Sequence, residues 1–370
     1  DAQCDATFAL FLLGPDGLPA TGDEPDPSTF IPTPFCGLDP TVRQQARDWA
    51  NGALVPNDVS TSFDYVLPSF NIKWEFAEDM LLRFSASRSI SYPEVGLTRN
   101  YFNLALDANN AQSIDNGIPD GTTVVGNPAL APIESTNFDM SVEWYFADVG
   151  QLTFAVFYKE LNNVIVNGTN RIPFTNNGAT FDVLITQPVN AEESGIVRGF
   201  EIAYQQTFDF LPGPFDGLGV QANYTYIDAG GVPQDTLSST DPDVGAGRVA
   251  NVDTSTLPLQ GLSEHNFNFV AFYEQGPLEA RLAWNWRSEF LLTTRDVIVP
   301  FAPIMNEDTG QLDGSVFYRI KDSFRVGVQG VNLLNEITQT SQVLNNDGLR
   351  TGRSWFMNDR RFTFVARATF

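Results

Sequence analysis

The sequence predicts an all-β fold, a transmembrane antiparallel β-barrel, on three observations. Apolar and polar residues alternate with a period of two over most of the chain, as in strands that have two unlike faces. No stretch approaches the roughly 20 consecutive apolar residues of a transmembrane helix. Short and long connections alternate between the predicted strands, which is the pattern of barrels that cross an outer membrane.

The composition narrows the class of protein. The chain has 370 residues, 42% of them hydrophobic, and carries 21 Lys and Arg against 45 Asp and Glu, a net charge of −24. This acidic balance argues against nucleic-acid binding, which needs a basic face to neutralise phosphates. The mean hydropathy of −0.14 is typical of a soluble protein, but a barrel escapes that test because only every second residue is apolar.

Eleven segments alternate strongly enough to be predicted as strands. The last shows the pattern most clearly, because Phe362 and Phe364 fall on one face whereas Arg361 and Thr363 fall on the other. One face suits lipid and the other a water-filled lumen. The eleven predicted strands are roughly 66–76, 80–92, 134–146, 151–166, 195–210, 217–229, 262–274, 277–292, 311–321, 323–334 and 355–370.

The connections between these strands predict the orientation of the barrel. Short turns of such barrels are periplasmic and long loops are external. The first predicted strand therefore runs downward and the last ends at the periplasmic rim, which makes residues 1–65 an external loop. The short connections are 77–79, 147–150, 211–216, 275–276 and 322–323, and the long ones are roughly 93–133, 167–194, 230–261, 293–310 and 335–354.

Eleven strands cannot close a bacterial barrel by themselves. Such barrels have an even number of strands, and unpaired strand edges are not tolerated in lipid. The N-terminal segment DAQCDATF also lacks the basic and apolar regions of a signal peptide, which an exported protein needs. We therefore expect an N-terminal part of the protein, including further strands, to precede this chain.

The expected external segment contains both cysteines of the chain, Cys4 and Cys36. An isolated pair is interpreted as one disulfide, which implies an oxidising compartment, and two free thiols remain the alternative. Metal binding is disfavoured because two sulfurs are too few and His265 is the only histidine.

Arg88 departs from the alternation, because it falls on the apolar face of the strand predicted over 80–92. Either a β-bulge shifts the register there, or the arginine extends its charged end to the membrane interface. The sequence leaves both explanations open.

Several segments resemble the C-terminal half of the barrel of TonB-dependent outer-membrane receptors. They span about 67–370, and the run Asn-Pro-x-Leu-x-Pro-x-x-Ser at 127–135 is the most specific of them. The segments are LPSFNIKWEFAEDMLLRFSASRSISYPEV (67–95), GNPALAPIESTNFDMSVEWYF (126–146), GIVRGFEIAYQ (195–205), VGVQGVNLLNE (326–336) and GRSWFMNDRRFTFVARATF (352–370).

The resemblance implies a 22-stranded barrel filled by an N-terminal plug domain, with the eleven strands here as its second half. It further implies a TonB box that contacts the TonB–ExbB–ExbD complex, and outer-membrane lipid and lipopolysaccharide around the barrel. Phe370 is similar to the C-terminal aromatic residue that serves as the family's assembly signal. The stretch 67–95 and the ending 353–370 look most like the branch common in Caulobacter- and Xanthomonas-type bacteria, which is associated with oligosaccharide uptake.

Catalytic motifs are absent from the sequence, so no enzyme is expected. It has no His-x-x-x-His pair, no Gly-x-Ser-x-Gly elbow and no phosphate-binding glycine loop. His265 is interpreted as a rim residue at the upper end of a strand.

Calcium binding by acidic external loops is an open alternative to solvated charges. The acidic residues are Asp107, Asp115, Asp120, Asp235, Asp241, Asp243, Asp253, Glu307, Asp308 and Asp313.

Substrate binding in such receptors falls on external loops and on the upper lumen. Aromatic faces can stack on sugars, and Asn, Asp and Arg can bond their hydroxyl groups, so residues of these types near external strand ends are the candidates. The candidates are Tyr92, Tyr101, Phe102, Arg287, Trp355, Asn358 and Asp359. Trp286 is assigned to the lipid-facing aromatic girdle by its parity. Five arginines are expected to face inward and to pair mainly with the plug, namely Arg83, Arg281, Arg319, Arg325 and Arg361.

The function predicted from these features is TonB-dependent active uptake of a scarce solute, with an oligosaccharide favoured by the branch resemblance and by the acidic, Asn-rich loops. The first alternative is uptake of a ferric siderophore or other metal chelate. The second is an outer-membrane barrel enzyme or a passive porin.

Overall fold

The computed structural model describes residues 35–51, 59–100, 105–106, 114–115, 118–119, 121–232, 252, 257–294, 296 and 302–369. Helix α1 spans Pro40–Ala50, and a 3-10 turn spans Phe215–Gly217. The strands are β1 (Ser69–Ala77), β2 (Met80–Ser91), β3 (Ala105–Leu106), β4 (Ile114–Asp115), β5 (Ile118–Pro119), β6 (Gly121–Val124), β7 (Ile133–Ala147), β8 (Gly150–Asn162), β9 (Ile165–Asn176), β10 (Ala179–Asn190), β11 (Gly195–Thr207), β12 (Leu218–Gly230), β13 (His265–Gln275), β14 (Leu278–Arg287), β15 (Phe290–Thr293), β16 (Ile304–Asn306), β17 (Thr309–Lys321), β18 (Phe324–Val331), β19 (Ile337–Val343), β20 (Arg350–Met357) and β21 (Arg361–Ala368).

One antiparallel sheet of eleven strands dominates the fold, in the order β1-β2-β7-β8-β11-β12-β13-β14-β17-β18-β21. Each of the eleven predicted strands overlaps one strand of this sheet. Predicted strands that follow one another along the chain are hydrogen-bonded neighbours in the sheet. The predicted antiparallel barrel wall is therefore confirmed. The sheet is open within the described residues, because β1 and β21 each pair on one side only.

The two faces of this sheet differ in chemistry, as the alternation predicts. Ring-bearing residues stand side by side on one face, for example Phe70 beside Phe84 and Phe154 beside Phe200. The opposite face of the same strands is polar, with Ser85 beside Asp139. The apolar face suits lipid and the polar face suits a lumen. In the described part of the chain, no helix is long and apolar enough to span a membrane.

Arg88 lies on the apolar face in an unbroken register. Pairing between β2 and β7 runs without a shift from Met80 to Ser91, so a β-bulge does not account for its position. Its guanidinium forms an ion pair with Glu134, which lies on the same face near the long-loop end of β7. The structure therefore supports the second explanation, in which the guanidinium of Arg88 is held at the edge of the apolar band.

Tight turns join the hairpins at one end of the sheet. Only two residues separate the paired ends Ala77 and Met80 in the first hairpin, and likewise Gln275 and Leu278 further along. Asp79 and Gly276 adopt positive φ angles of 61° and 58° in these turns, as such short connections require. The predicted alternation of short and long connections is therefore present.

The long connections contain secondary structure that the alternation did not predict. The predicted strand 151–166 ends at Asn162, and β9 and β10 then form a separate hairpin in a four-stranded sheet of order β3-β6-β10-β9. A second four-stranded sheet has the order β15-β16-β19-β20. Along the chain, its strands β15, β16, β19 and β20 adjoin β14, β17, β18 and β21, respectively. The second sheet therefore repeats the strand order of that part of the main sheet. We call it the external sheet, after the predicted position of the long loops.

Two predicted strand boundaries are wrong for the same reason. The strand predicted over 277–292 is β14 followed by β15 of the external sheet. The strand predicted over 355–370 begins at Arg361, whereas Trp355 belongs to β20 of the external sheet. Asp313, expected in an external loop, lies within β17 and accepts a hydrogen bond from the Asn332 backbone at 2.9 Å.

Helix α1 lies within the segment 1–65, for which only a loop was expected. Asp39 caps its N-terminus by accepting a hydrogen bond from the Thr41 backbone at 2.8 Å, and Pro40 occupies the first turn, where its missing N–H costs nothing. Trp49 is 2% exposed and packs between the rings of Phe174 and Phe181. The helix is thereby anchored on the β9–β10 hairpin.

Candidate ligand-binding surface

The polar face of the eleven-stranded sheet is held by short cross-strand bonds. Arg83 donates to Glu143 at 2.7 Å, and the Tyr145 hydroxyl donates to the second oxygen of the same carboxylate at 2.6 Å. These residues lie on alternate positions of β2 and β7, so their contact is a direct result of the strand register. The face presents carboxylates, amides and hydroxyls to a solute in the lumen.

The five predicted inward arginines all lie on this polar face. Arg319 and Arg325 are direct cross-strand partners, and both approach Glu279, at 3.9 Å and 3.3 Å. Arg281 and Arg361 occupy inward positions on β14 and β21, in register with Ser315 and Val331. Near the short turns, Arg281, Arg319, Arg325 and Arg367 share this face with two carboxylates, Glu279 and its cross-strand partner Glu274, so the wall is locally cationic there. Arg361 lies at the opposite end of β21.

The external sheet is fastened by an ion pair whose carboxylate is buried. Arg353 of β20 donates to both oxygens of Asp296, at 2.7 Å and 3.2 Å, and Gln342 of β19 donates to the same carboxylate at 2.9 Å. Hydrogen bonding to Asp296 raises the pKa of Arg353. A second pair joins Arg350 to Glu289 at 2.5 Å. These contacts join β19 and β20 to Asp296 and to Glu289, which follows β14.

An apolar cluster also stabilises the external sheet. Leu291, Met305 and Val343 are buried together, and Val252 and Leu257 pack against them. Leu291 is opposite Met305 in the register of β15 and β16, so alternation along these short strands places them on one side.

A polar pocket of about 520 Å³ opens beside this sheet and includes one of the predicted ligand-binding residues, Trp355. The indole is 62% exposed. Its other lining residues come from the β16–β17 connection, the β18–β19 connection, β19 and Gly352 of β20, and include Glu307, Asp308, Glu336, Gln339 and Ser341.

The remaining ligand-binding candidates are not gathered in this pocket. Tyr92 follows β2 and is 71% exposed. Asn358 and Asp359 are exposed in the connection between β20 and β21. Tyr101 and Phe102 lie outside the described residues.

Arg287 has a structural role at the end of β14. Its guanidinium lies 3.8 Å from the centre of the Phe290 ring, and it donates to the Ser263 hydroxyl at 2.8 Å and to the Gly261 carbonyl at 3.2 Å. These bonds tie the segment before β13 to the start of the external sheet.

Trp286 lies on the face that parity assigns to it, and His265 lies at a strand end, as expected. Trp286 shares its face with Leu282 and donates to Asp308 at 3.3 Å. His265 begins β13, at the strand end, and its Nδ1 lies 2.7 Å from the Tyr224 hydroxyl. Both belong to the rim of the wall.

Other predictions fall wholly or partly outside the described residues. Cys4 lies outside them, so its disulfide with Cys36 stays a prediction, and so does the role of Phe370. Among the described residues, no group of three or more His, Cys, Asp or Glu side chains could hold a metal ion. Most of the acidic residues considered for calcium lie outside the described part, which leaves that expectation untested.

Comparison with known proteins identifies the family. The family model described as "TonB dependent receptor-like, beta-barrel" matches residues 39–333. The chain therefore belongs to the TonB-dependent receptor β-barrel family, whose members are transporters of the outer membrane and not enzymes. No curated protein sequence matches the chain.

Solved structures agree with the fold. A mutant of the ferric enterobactin receptor PfeA from Pseudomonas aeruginosa matches with a TM-score of 0.55 and 15% identity, over 82% of this chain and 40% of that one. The siderophore receptor PirA from Acinetobacter baumannii matches with a TM-score of 0.51 and 16% identity, over 82% and 41%. The chain thus spans about two fifths of the length of the receptors it resembles.

Proposed function

We propose that the protein takes up a scarce solute across the outer membrane by TonB-dependent active transport. The observation that carries this proposal is the eleven-stranded wall, apolar on one face and polar on the other, in a chain of the TonB-dependent receptor family. The partners of this wall would be a plug domain and the other half of a 22-stranded barrel, the TonB–ExbB–ExbD complex, and lipid and lipopolysaccharide on the apolar face.

The proposed solute is a neutral oligosaccharide. The net charge of −24 and the carboxylates at the external sheet disfavour anionic chelates, because like charges repel at close range. The exposed indole of Trp355 and the amide of Asn358 supply the types of group that sugars use. The resemblance to the branch associated with oligosaccharide uptake supports the same choice, and calcium in the acidic loops is proposed as an accessory ion only.

Ferric-siderophore uptake is the second candidate. It is motivated by the siderophore receptors among the matched structures, but identities of 15% and 16% carry the fold and not the ligand. The locally cationic inner wall around Arg319 and Arg325 is the one described feature that suits an anionic solute.

Growth of a deletion strain separates these candidates. We expect the strain to lose uptake of one class of oligosaccharide while iron acquisition under iron limitation is unchanged, and deletion of tonB to abolish the same uptake. Loss of iron acquisition with intact sugar uptake would favour the siderophore candidate. Uptake that survives tonB deletion would instead favour a passive porin.

A further inference from the structure

Seven amide side chains lie together on the polar face of the eleven-stranded sheet. Four are direct cross-strand partners on β12, β13, β14 and β17, and the other three are direct partners on β8, β11 and β12, one row away. An unbroken row of partners joins the first set to Glu143 of the polar face. We call the seven residues the amide track: Asn223, Asn268, Asn285 and Gln311 in one row, and Gln151, Gln205 and Gln221 in the other.

The amide track runs obliquely from one end of the wall to the other. Gln311 is the third residue of β17, which begins after a long connection. Gln205 is two residues from the end of β11, and Gln151 is the second residue of β8, both beside short turns. Because the strands of a barrel are tilted and staggered, a row of direct partners climbs along the wall. The track therefore joins the long-loop end of the lumen to the short-turn end.

The middle of the track is uncharged. Every inward position of β12, from Gly219 to Ala229, carries a side chain that cannot ionise. The neighbouring part of the polar face differs, because it carries the ion pair between Arg83 and Glu143. Charge touches the track at its external end, where Gln311 donates to both oxygens of Asp313, at 2.9 Å and 3.1 Å. Below that point a molecule on the track meets amide dipoles instead of charges.

Five of the seven amides are free to bond a ligand. Within the part of the chain that the structure describes, their side chains form no hydrogen bond, and none of the five is buried. They are Gln205, Gln221, Asn223, Asn268 and Asn285. The first four, together with Gln151, line an open depression of about 250 Å³. An amide both donates and accepts hydrogen bonds, as a hydroxyl group does, so the depression matches a molecule that presents hydroxyl groups.

The spacing of the amides suits passage better than tight capture. Neighbouring strands lie about 4.8 Å apart and the two rows about 7 Å apart, so successive amides are within reach of one small molecule. Passage requires sites that are favourable enough to enter and weak enough to leave, which a series of single neutral hydrogen bonds provides. An apolar solute would instead have to desolvate the amides without replacing their bonds to water.

We propose that the amide track is the path along which the hydroxyl groups of a neutral saccharide pass from the external end of the lumen to the short-turn end. The track deepens the proposed uptake of an oligosaccharide and rests on it. It names the sector of the wall, from β8 to β17, along which the solute moves, and it leaves the residues of external capture unchanged.

Uptake of radiolabelled maltotriose, cellotriose and xylotriose by cells that carry the whole receptor tests the track. For each trisaccharide taken up, Asn223→Leu and Asn268→Leu should each lower the maximal rate about threefold, and the double variant about tenfold, since one neutral hydrogen bond is worth a factor of roughly two to ten. The half-saturating concentration should stay the same, because capture precedes passage. Asn268→Gln keeps an amide and should keep the rate.

Gln329→Leu is the matched control. Gln329 is an exposed inward amide on β18, in register with Ser315 and Thr363, and lies outside the track. Its replacement should leave uptake unchanged. Rates are divided by the amount of receptor in the outer membrane, so that a variant that assembles poorly is not mistaken for a slow one.

Cysteine labelling reports contact with the track independently of uptake. In cells with Asn268→Cys, a methanethiosulfonate reagent is added with and without each trisaccharide, and mass spectrometry of the peptide that contains position 268 measures the modification. We expect a trisaccharide that is taken up to slow the labelling. Labelling in cells with Gln329→Cys should proceed at the same rate with and without sugar.

The outcomes separate the track from the transport proposal. Uptake that requires tonB but is equally fast in the natural receptor and the double leucine variant overturns the track and leaves transport standing, and so does an equal loss in Gln329→Leu. A cysteine at position 268 that is closed to the reagent under all conditions assigns the amides to contact with the plug and also overturns the track. Slowed labelling without tonB-dependent uptake refutes transport and leaves the track. If no trisaccharide is taken up and none slows labelling, both fail.

Discussion

Replacement of Trp49 by alanine should detach helix α1 from the β9–β10 hairpin. The indole is 2% exposed and lies 6.0 Å from the Phe174 ring and 6.1 Å from the Phe181 ring, both edge-to-face. Its Nε1 donates to the Phe174 carbonyl at 2.8 Å. The same cluster includes Val183, which is fully buried. Loss of the indole removes the centre of this cluster.

The expected cost follows from the size of the deleted group. Truncation of a buried tryptophan to alanine costs about 3–5 kcal/mol in well-packed sites. At about 1.4 kcal/mol per factor of ten, the equilibrium for opening of the hairpin should rise by roughly two to three orders of magnitude. Trp49→Phe retains much of the ring but loses the bond to the Phe174 carbonyl, and should cost about 1 kcal/mol from that bond in addition to the smaller ring.

Hydrogen exchange measured by mass spectrometry tests this prediction. Protection of amides in residues 165–190 should fall in the order natural receptor, Trp49→Phe, Trp49→Ala, while the strands of the main sheet keep theirs. Gln45→Ala is the control, because Gln45 is exposed on the same helix. Unchanged protection of the hairpin in Trp49→Ala, or equal loss in Gln45→Ala, would refute the reasoning.

Three further predictions concern single contacts. Glu134→Gln, which leaves Arg88 without its carboxylate on the apolar face, should lower the free energy of unfolding in detergent by about 1 kcal/mol or less, and a larger loss in a urea titration would contradict an interfacial position. Gly178→Val should lower the protection of the β9–β10 turn by about 1–2 kcal/mol, because φ is 79° there, and unchanged exchange would exclude that turn. Alkylation before and after reduction should modify Cys4 and Cys36 only after reduction, whereas labelling of the unreduced protein would show free thiols.

Much of the main sheet could be predicted because its surroundings are encoded in local sequence. A strand between lipid and water must alternate, so Leu282 and Trp284 on one face of β14 and Arg281 on the other are visible without any structure. Hairpin turns with Asp79 and Gly276 were equally visible, since short connections require such residues.

The hairpin in the long connection has a local turn signal that strand alternation does not report. Asn177 and Gly178 have φ angles of 47° and 79°, and Asn-Gly between extended segments is a strong sign of a two-residue hairpin turn. Pro173 and Pro188 interrupt the alternation on either side, so alternation alone favours a loop there. Asp39 and Pro40 are likewise a typical helix start, a local signal for α1 that strand alternation does not report.

The polar pocket beside the external sheet depends on contacts that no local pattern reports. Trp355 was a candidate from its residue type alone, whereas Ser341 and Gln339 were placed in a structureless loop. Gln339 and Trp355 meet because β19 and β20 pair, and a shift in that register then places Ser341 opposite Gly352.

The sequence by itself determined the class of the fold, the eleven strands of the wall and the face on which their side chains lie. The reason is that successive side chains of such a strand point alternately to lipid and to the lumen, so apolar and polar residues alternate along it. Only the tertiary structure decided that two of the long connections continue the wall as an external sheet, that Trp49 joins α1 to a distant hairpin, and that Gln339 lies opposite Trp355. Those features depend on strand register and on packing between segments distant in sequence, and neither has a local periodicity from which it could be deduced.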